Sequence, residues 1–383
     1  MKPVSNSNLT LSRTTAVIIR SNHPVFEPRI MKTVRILQEK RISVIVIGWD
    51  RNTASKVSPM NITDGAFHLF RVKTPIGTPL ISVFLPLWWY YVFVTALPKS
   101  GTVLHACDFD TLIPSLLVKI FTRRKLVYDM YDFYSDRLPE KSWIRRALGF
   151  LEKFLARFAD VVILADDQRR EQVKGLKAQR IATIYNSPPS ISSLNKPTKF
   201  FDNQFTLFYC GTLDLRRGIV SACKAVEELS GVRLILAGYT GPHYKDLLSF
   251  IKECNNTTFI GPLEYDEVLE FTQRSDALFA LYDPAVPNYR FASPNKLFEA
   301  MMCGKPIIVS SNTLMANRVI RHGCGIVVRY GDIESLRKVI QHLKDDPTFA
   351  RQLGENGRKA YHEFYDWSIM KRRLMRIYNQ ILM

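Results

Sequence analysis

The chain has 383 residues, 46% of them hydrophobic, and 53 Lys and Arg against 35 Asp and Glu give a formal net charge of +18 with a pI near 9.6. That length and composition support two ordinary globular cores and exclude a low-complexity chain. The charge calls for an acidic partner: nucleic acid, an anionic membrane surface or a phosphorylated small molecule. Six cysteines, at 107, 210, 223, 254, 303 and 324, are scattered without a CxxC pair and suit free thiols in a reducing, cytoplasmic compartment.

The opening stretch MKPVSNSNLTLSR lacks the apolar core of a secretory signal and reads as a loose tail. Apolar strand runs then alternate with helical patterns, which predicts an α/β chain with parallel sheets. The first series has strands near 16–21, 43–50, 67–73, 102–107, 125–130, 161–166 and 181–186. Within it, LISVFLPLWWYYVFVTAL at 80–97 carries no charge. Pro86, the interfacial aromatics and the flanking strands argue for a buried or membrane-touching helix over a spanning one. The segment SWIRRALGFLEKFLARF at 142–158 is basic and amphipathic, and reads as a second surface able to rest on an anionic membrane or to pack on the first sheet.

Two acidic constellations belong to this half. In HACDFDT, His105 and Asp108 are candidates for substrate contact at the carboxyl end of a strand, while Asp110 or Thr111 reads as the N-cap of the helix that follows. In YDMYDFY, Asp129 and Asp132 read as acceptor-side contacts or as turn residues. The D-F-D spacing is not read as a metal site, because basic side chains are at hand for the charge a metal would neutralise.

Residues 187–204, rich in Pro and Ser, read as an interdomain linker. A second αβ series follows, with strands near 205–211, 232–239, 257–261, 277–282, 305–311 and 324–330. Neither series has a GxGxxG fingerprint after its first strand, which disfavours a nicotinamide or flavin enzyme. The second opens instead with Gly211-Thr212-Leu213-Asp214-Leu215-Arg216-Arg217-Gly218, and Arg216 and Arg217 at a strand end are placed to grip a diphosphate.

In SPNKLFEAMMCGKPIIVSS (293–311), Ser293 is expected as N-cap, with Pro294 at the first helical position, Asn295 beside it, and Gly304 at the end. Lys296 and Glu299 then share one helical face. A lysine in the first turn opposes the helix dipole unless an anion occupies the same place, so the segment reads as a phosphate site. The basic amphipathic segment 367–383 is expected to fold back onto the first half. The domains are therefore drawn as 1–190 with 367–383, and 191–366: two doubly wound, Rossmann-like halves facing a cleft, with ligands at the carboxyl ends of strands.

In order, FYCGTLDLRRG, LILAGYTGP, FIGPL and SPNKLFEAMMCGKPIIVSS resemble the donor domain of retaining family 4 glycosyltransferases of the GT-B fold. HPVFEPRIMKTVRILQEKRISVIVIGWDR, VLHACDFDTLIP and KLVYDMYDFY are similar to the same family's acceptor domain. The resemblance implies that Glu299 holds the donor ribose hydroxyls, that Arg217 sits on the donor diphosphate, and that the backbone at Gly261–Leu263 and at Gly238 flanks the nucleobase. It also implies a hexosyl donor of UDP or GDP type, an acceptor that is a glycan, a small molecule or lipid-linked, and no metal or other cofactor. Three positions depart from the pattern: Phe291 stands where the family's first paired glutamate falls, Thr212 where an arginine is common, and Cys107 where many members carry a histidine.

The expected reaction is sugar transfer with retention, the charge growing on the leaving diphosphate being met by Arg217, Lys296 and the helix amides after Ser293. A nucleotide-sugar epimerase of the same fold is the alternative. A nucleic-acid-binding protein fits less well, because the aromatics lie in apolar runs rather than along a basic stripe. The expected place is the cytoplasm, with peripheral contact at the inner face of the membrane.

Overall fold

In the computed structural model the described residues are 14–23, 27–51, 65–74, 81–99, 102–138, 141–189, 200, 203–239 and 245–382. The expected tail and most of the expected linker lie outside them. The chain divides into two compact units, one of residues 1–185 with 371–383 and one of residues 186–370.

The first unit holds a sheet with strands β1 (Thr15–Arg20), β2 (Ser43–Asp50), β3 (Gly65–Arg71), β4 (Val103–Cys107), β5 (Lys125–Met130), β6 (Val161–Leu164) and β7 (Ile181–Thr183). Runs such as AVII and VVIL are buried throughout, as a sheet covered on both faces requires. The strand order is β3-β2-β1-β4-β5-β6-β7, and the pairings are parallel, for instance Val17 with Ile45 and with Leu104. The sheet winds outward in both directions from the β1/β4 pair. Helices α1 (Pro28–Glu39), α2 (Ile81–Ala96), α3 (Phe109–Thr122) and α4 (Trp143–Ala156) make the crossovers. The β1-to-β2 step runs opposite to the β3-to-β4, β4-to-β5 and β5-to-β6 steps, so the right-handed rule puts α1 on one face and α2, α3 and α4 on the other. On the three-helix face, Trp88, Val92 and Ala96 of α2 are buried with Trp49, Leu112 and Tyr128. Trp49 and Trp88 stack at 5.6 Å.

The second unit holds β8 (Phe205–Cys210), β9 (Val232–Ala237), β10 (Thr257–Phe259), β11 (Ala277–Ala280), β12 (Ile307–Ser310) and β13 (Gly325–Val328), in the order β10-β9-β8-β11-β12-β13. Its switch in winding direction falls between β8 and β11. The loops leaving those two strands diverge there, which opens a crevice at their carboxyl ends. Helices α5 (Ile219–Glu227), α6 (Lys245–Glu253), α7 (Tyr265–Arg274), α8 (Pro287–Arg290), α9 (Asn295–Cys303), α10 (Leu314–His322), α11 (Ile333–Asp345) and α12 (Pro347–Ala360) complete it.

Helix α13 (Trp367–Leu382) carries the chain back to the first unit. There Tyr378 reaches His105, Arg373 donates to the Thr183 carbonyl, and Lys371 pairs with Glu39. Two expected helix starts differ from those observed. Neither Asp110 nor Thr111 caps α3; the helix begins at Phe109 and Asp108 is its N-cap. Nor does Ser293 cap α9: Pro294, with ψ 149°, is the N-cap, because a proline before an unhydrogen-bonded first turn holds an extended conformation at no loss of a donor.

Candidate active site

The crevice of the second unit is edged by the ends of β8 and β11 and by the start of α9. Three glycines bring the loops together. Gly211, after β8, donates to the Ala237 carbonyl at 3.0 Å, and Gly238, after β9, donates to the Gly261 carbonyl at 2.8 Å. Gly238 has φ +127°, and a Cβ on it would stand 1.9 Å from the Gly211 oxygen. Only glycine fits that close approach. A Cβ on Gly211 would come within 3.2 Å of Lys296 Nζ, so the lysine reaches across to the β8 loop.

Helix α9 presents its first turn to this crevice with no side-chain cap. Lys296 and Glu299 are both buried, at 5% and 4% exposure. Lys296 Nζ lies 4.1 Å from the Tyr209 ring centroid and 5.3 Å from that of Tyr282, and donates to the Tyr282 hydroxyl at 3.2 Å. Burial works against this charge, but Tyr209 and Tyr282 outweigh it and hold the ammonium above its ordinary pKa.

Arg217 shares the same aromatic wall, 5.0 Å from the Tyr282 ring and 5.2 Å from that of Tyr289. Its Nε is buried without a hydrogen-bond partner. Asp214 organises the turn by accepting from the Arg216 amide at 2.7 Å and the Tyr289 hydroxyl at 3.1 Å. The Arg216 side chain, by contrast, is exposed. Among the described residues neither cation forms an ion pair with a carboxylate, and two such cations on one tyrosine wall suit an anion.

Glu299 occupies the other end of this wall. Burial and then the Glu299 carboxylate raise the Tyr265 phenol well above its ordinary pKa. The same two causes push the Cys210 thiol, at the end of β8, up to about 12, against the opposing pull of Lys296. Cys210 therefore lies within reach of both charges. Thr212 is exposed and its carbonyl accepts from Tyr209 at 2.8 Å. Ser293, buried, is tied through its carbonyl to Asn186 Nδ2 at 2.9 Å. Asn295 and Leu263 are half-buried, and Phe291 is the C-cap of α8. None of Tyr209, Tyr282 or Tyr289 was singled out by the sequence, although the first two sit at the ends of recognised strands.

In the first unit, at the corresponding switch point between β1 and β4, the expected acidic and histidine side chains are paired with neighbours of the same unit. Asp108, at φ +69°, accepts from the amides of Tyr131 at 2.9 Å and Asp132 at 3.3 Å, pairs with Arg20, and meets Arg137 at 3.4 Å. Four partners leave it 2% exposed. His105 lies inside β4 rather than after it, with Nδ1 2.9 Å from the Tyr378 hydroxyl and Nε2 3.5 Å from Asp129. Asp129 is gripped by both ends of the Arg29 fork, at 3.0 and 2.7 Å, and is held below the usual carboxylate range despite its burial. These expected substrate contacts are thus engaged within the unit. Asp132 is the more open, with Arg169 at 3.1 Å.

Residues 191–360 match the family described as glycosyl transferases group 1. The glycogen synthase of Mycobacterium tuberculosis is 22% identical over 303 residues, 74% of this chain and 71% of that protein. The N,N'-diacetylbacillosaminyl-diphospho-undecaprenol alpha-1,3-N-acetylgalactosaminyltransferase of Campylobacter jejuni is 22% identical over 363 residues, 90% of this chain and 88% of that one. Anabaena HepE, solved in complex with UDP-glucose, superposes with a TM-score of 0.69 at 16% identity, over 95% of this chain and 99% of that one. The two Rossmann-like units have the GT-B fold, and the chain is a glycosyltransferase whose second unit carries the match to the group 1 family.

Proposed function

We propose that this glycosyltransferase moves a hexose from a nucleoside-diphosphate sugar, of UDP or GDP type, to an acceptor hydroxyl with retention of anomeric configuration. The observation that carries this reading is the placement of Lys296 and Arg217 on one tyrosine wall at the β8/β11 switch point, beside the uncapped first turn of α9. A UDP-sugar complex of a protein with the same fold supports the donor class.

The diphosphate lies between Lys296, Arg217 and the α9 amides, with Ser293, Pro294 and Asn295 shaping that turn. Glu299 accepts from the ribose hydroxyls, which two carboxylate oxygens do well. The backbone at Gly238 and at Gly261–Leu263 flanks the base. As the bond from the anomeric carbon to the diphosphate oxygen breaks, Lys296 and Arg217 stabilise the charge that grows on that oxygen. The acceptor oxygen bonds to the same carbon from the face the diphosphate leaves, and its proton passes to the departing diphosphate. No protein base or metal ion is needed in this scheme. His105 and Asp108 shape the acceptor unit, and Asp132 is more accessible than Asp108 or Asp129.

The acceptor is a lipid-linked glycan met at the inner face of a membrane. Support comes from the Campylobacter relative, whose name carries a diphospho-undecaprenol acceptor, and from the basic, amphipathic α4. A thermal-shift panel tests the donor reading, since a ligand of the native state raises stability by mass action. UDP or GDP, alone or as sugar conjugates, raises the melting temperature, and Glu299→Ala and Arg217→Ala reduce the rise. A wild-type protein that no nucleoside diphosphate stabilises sinks the reading.

A further inference from the structure

The three helices on one face of the first sheet present apolar side chains outward as well as inward. Thirteen of the eighteen exposed large apolar side chains among the described residues lie on α2, α3 and α4 or at the end of α4. On α2 the outward residues Val83, Leu87, Tyr90 and Val94 recur every three or four positions, one stripe opposite the buried Trp88 and Val92. On α3 the stripe is Leu117, Ile120 and Phe121. On α4 an aromatic ladder climbs the outer side, Phe150 to Phe154 at 6.2 Å and Phe154 to Phe158 at 5.6 Å, with Trp143 75% exposed at its foot. Helix α2 packs on α3 and α3 on α4, and Phe93 and Phe121 join at 5.7 Å. The stripes therefore form one surface. A folded protein in water does not normally expose a contiguous apolar area of this extent.

Charge identifies what covers it. Residues 141–158 carry Lys141, Arg145, Arg146, Lys153 and Arg157, and their one acid, Glu152, is fully buried beneath the helix. Arg157 lies over the Phe154 and Phe158 rings at 4.4 and 4.7 Å, while Lys141, Arg146 and Arg123 are exposed along the border. Aromatic and aliphatic groups in the middle with cations at the rim match a bilayer interface with anionic headgroups. A second copy of the chain would bring the same cations face to face, and α2, with no charged residue, offers such a copy no counter-charge. Among the described residues no helix is long and apolar enough to cross a membrane.

We propose that the α2–α3–α4 face binds flat on the surface of a bilayer containing anionic phospholipid, Phe150 and Phe154 entering the acyl boundary and Lys141 and Arg146 meeting the headgroup phosphates. It deepens the lipid-linked acceptor reading, and rests on it for its purpose, by giving the enzyme a fixed orientation at the lipid surface. Flotation of the full chain with vesicles tests it. The protein partitions onto phosphatidylcholine vesicles containing phosphatidylglycerol and only weakly onto phosphatidylcholine alone. Phe150→Ser with Phe154→Ser weakens partition by about tenfold or more, and so does Lys141→Glu with Arg146→Glu. The second pair sits at the N-terminal end of α4, where carboxylates suit the helix dipole, so the fold is not strained. Wild-type protein that stays unbound with anionic vesicles overturns the proposal, as does equal flotation of both variants. So does a wild-type dimer that the Phe variants make monomeric while vesicles bind neither form. Vesicle binding without any nucleotide-induced thermal shift leaves this surface standing and removes the donor reading; the reverse pattern does the opposite.

Discussion

The ammonium of Lys296 stands 4.1 Å over the ring of Tyr209, and that pairing ties the first turn of a helix to the end of the first strand of the second unit. A buried lysine without a carboxylate beside it keeps its charge only if something offsets desolvation. Here the offset is aromatic, which leaves the positive field available to an incoming anion. Tyr209→Leu is therefore expected to lower kcat by about tenfold, on the order of the 1 to 2 kcal/mol of a desolvated cation–π contact. Tyr209→Phe, which keeps the ring and loses the hydroxyl's bonds to the Thr212 carbonyl and to Arg217, stays within a few fold of wild type. Steady-state kinetics of the two variants make the comparison; equal losses would assign the effect to the hydroxyl instead.

Lys296 and Glu299 share a helix but are expected to fail differently. Lys296 faces the group whose charge grows as the bond breaks, so Lys296→Ala lowers kcat by about 100-fold to 1000-fold. Glu299 meets hydroxyls that change little during reaction, so Glu299→Ala raises KM for the donor with a smaller change in kcat. Donor-dependence curves separate the two. A Lys296→Ala defect confined to KM would move Lys296 out of the reacting charge. The same logic gives full activity in excess chelator, measured as turnover with and without EDTA.

Much of this was legible in the sequence, and the parts that were not have physical reasons. Each of the thirteen strands among the described residues falls on a recognised apolar run, because parallel strands inside a sheet need apolar, β-branched stretches with turn residues at both ends. That Lys296 and Glu299 share one turn of a helix was legible because helical spacing is fixed. The tyrosine wall was not: Tyr209, Tyr282 and Tyr289 come from β8, the end of β11 and α8, and an aromatic in a strand reads first as core. The N-caps at Asp108 and Pro294 were missed because each depends on a backbone angle, φ +69° at Asp108 and ψ 149° at Pro294, that residue type alone does not announce. His105 was assigned to the strand end, yet its side chain turns to Tyr378, 273 positions along the chain.

The glycine contact between the β8 and β9 loops supplies a third expectation. Gly238→Ala places a methyl where the Gly211 oxygen lies and demands a positive φ of a residue that disfavours it. The β9 loop must move away from the β8 loop, opening the crevice edge next to Lys296. The nucleotide-induced thermal shift is expected to disappear, with a stability loss of about 1 to 3 kcal/mol. Gly175→Ala is the control: it too has positive φ, but no atom lies within 4 Å of its added Cβ, and it belongs to the first unit. Loss of the shift in both would mean that general destabilisation, not the crevice, is responsible.

Glu152 sets the pH dependence of the first unit. Burial pushes its carboxyl up to about 8, although Oε1 accepts from the Tyr128 hydroxyl at 2.7 Å and Oε2 from the Tyr134 amide at 2.9 Å. In the unfolded chain the group titrates near the ordinary glutamate value of about 4.3. Between these two values the folded state holds the proton that the unfolded state has released. The stabilising contribution is thus complete below about 4.3 and is lost progressively as pH rises to about 8, at up to about 1.4 kcal/mol per pH unit. Glu152→Gln removes the titration while keeping both contacts, its carbonyl accepting from the Tyr134 amide and its NH2 donating to the Tyr128 oxygen. Urea unfolding followed by tryptophan fluorescence reports chiefly this unit, which holds Trp49, Trp88, Trp89 and Trp143. The difference between variant and wild type is expected to grow in the variant's favour from pH 5 to pH 8 and then level off. A difference independent of pH would show that Glu152 is already ionised in the fold. Because Glu152 pins α4 to β5 from beneath the aromatic ladder, the same rise in pH is expected to loosen the helix that carries the largest share of the apolar face.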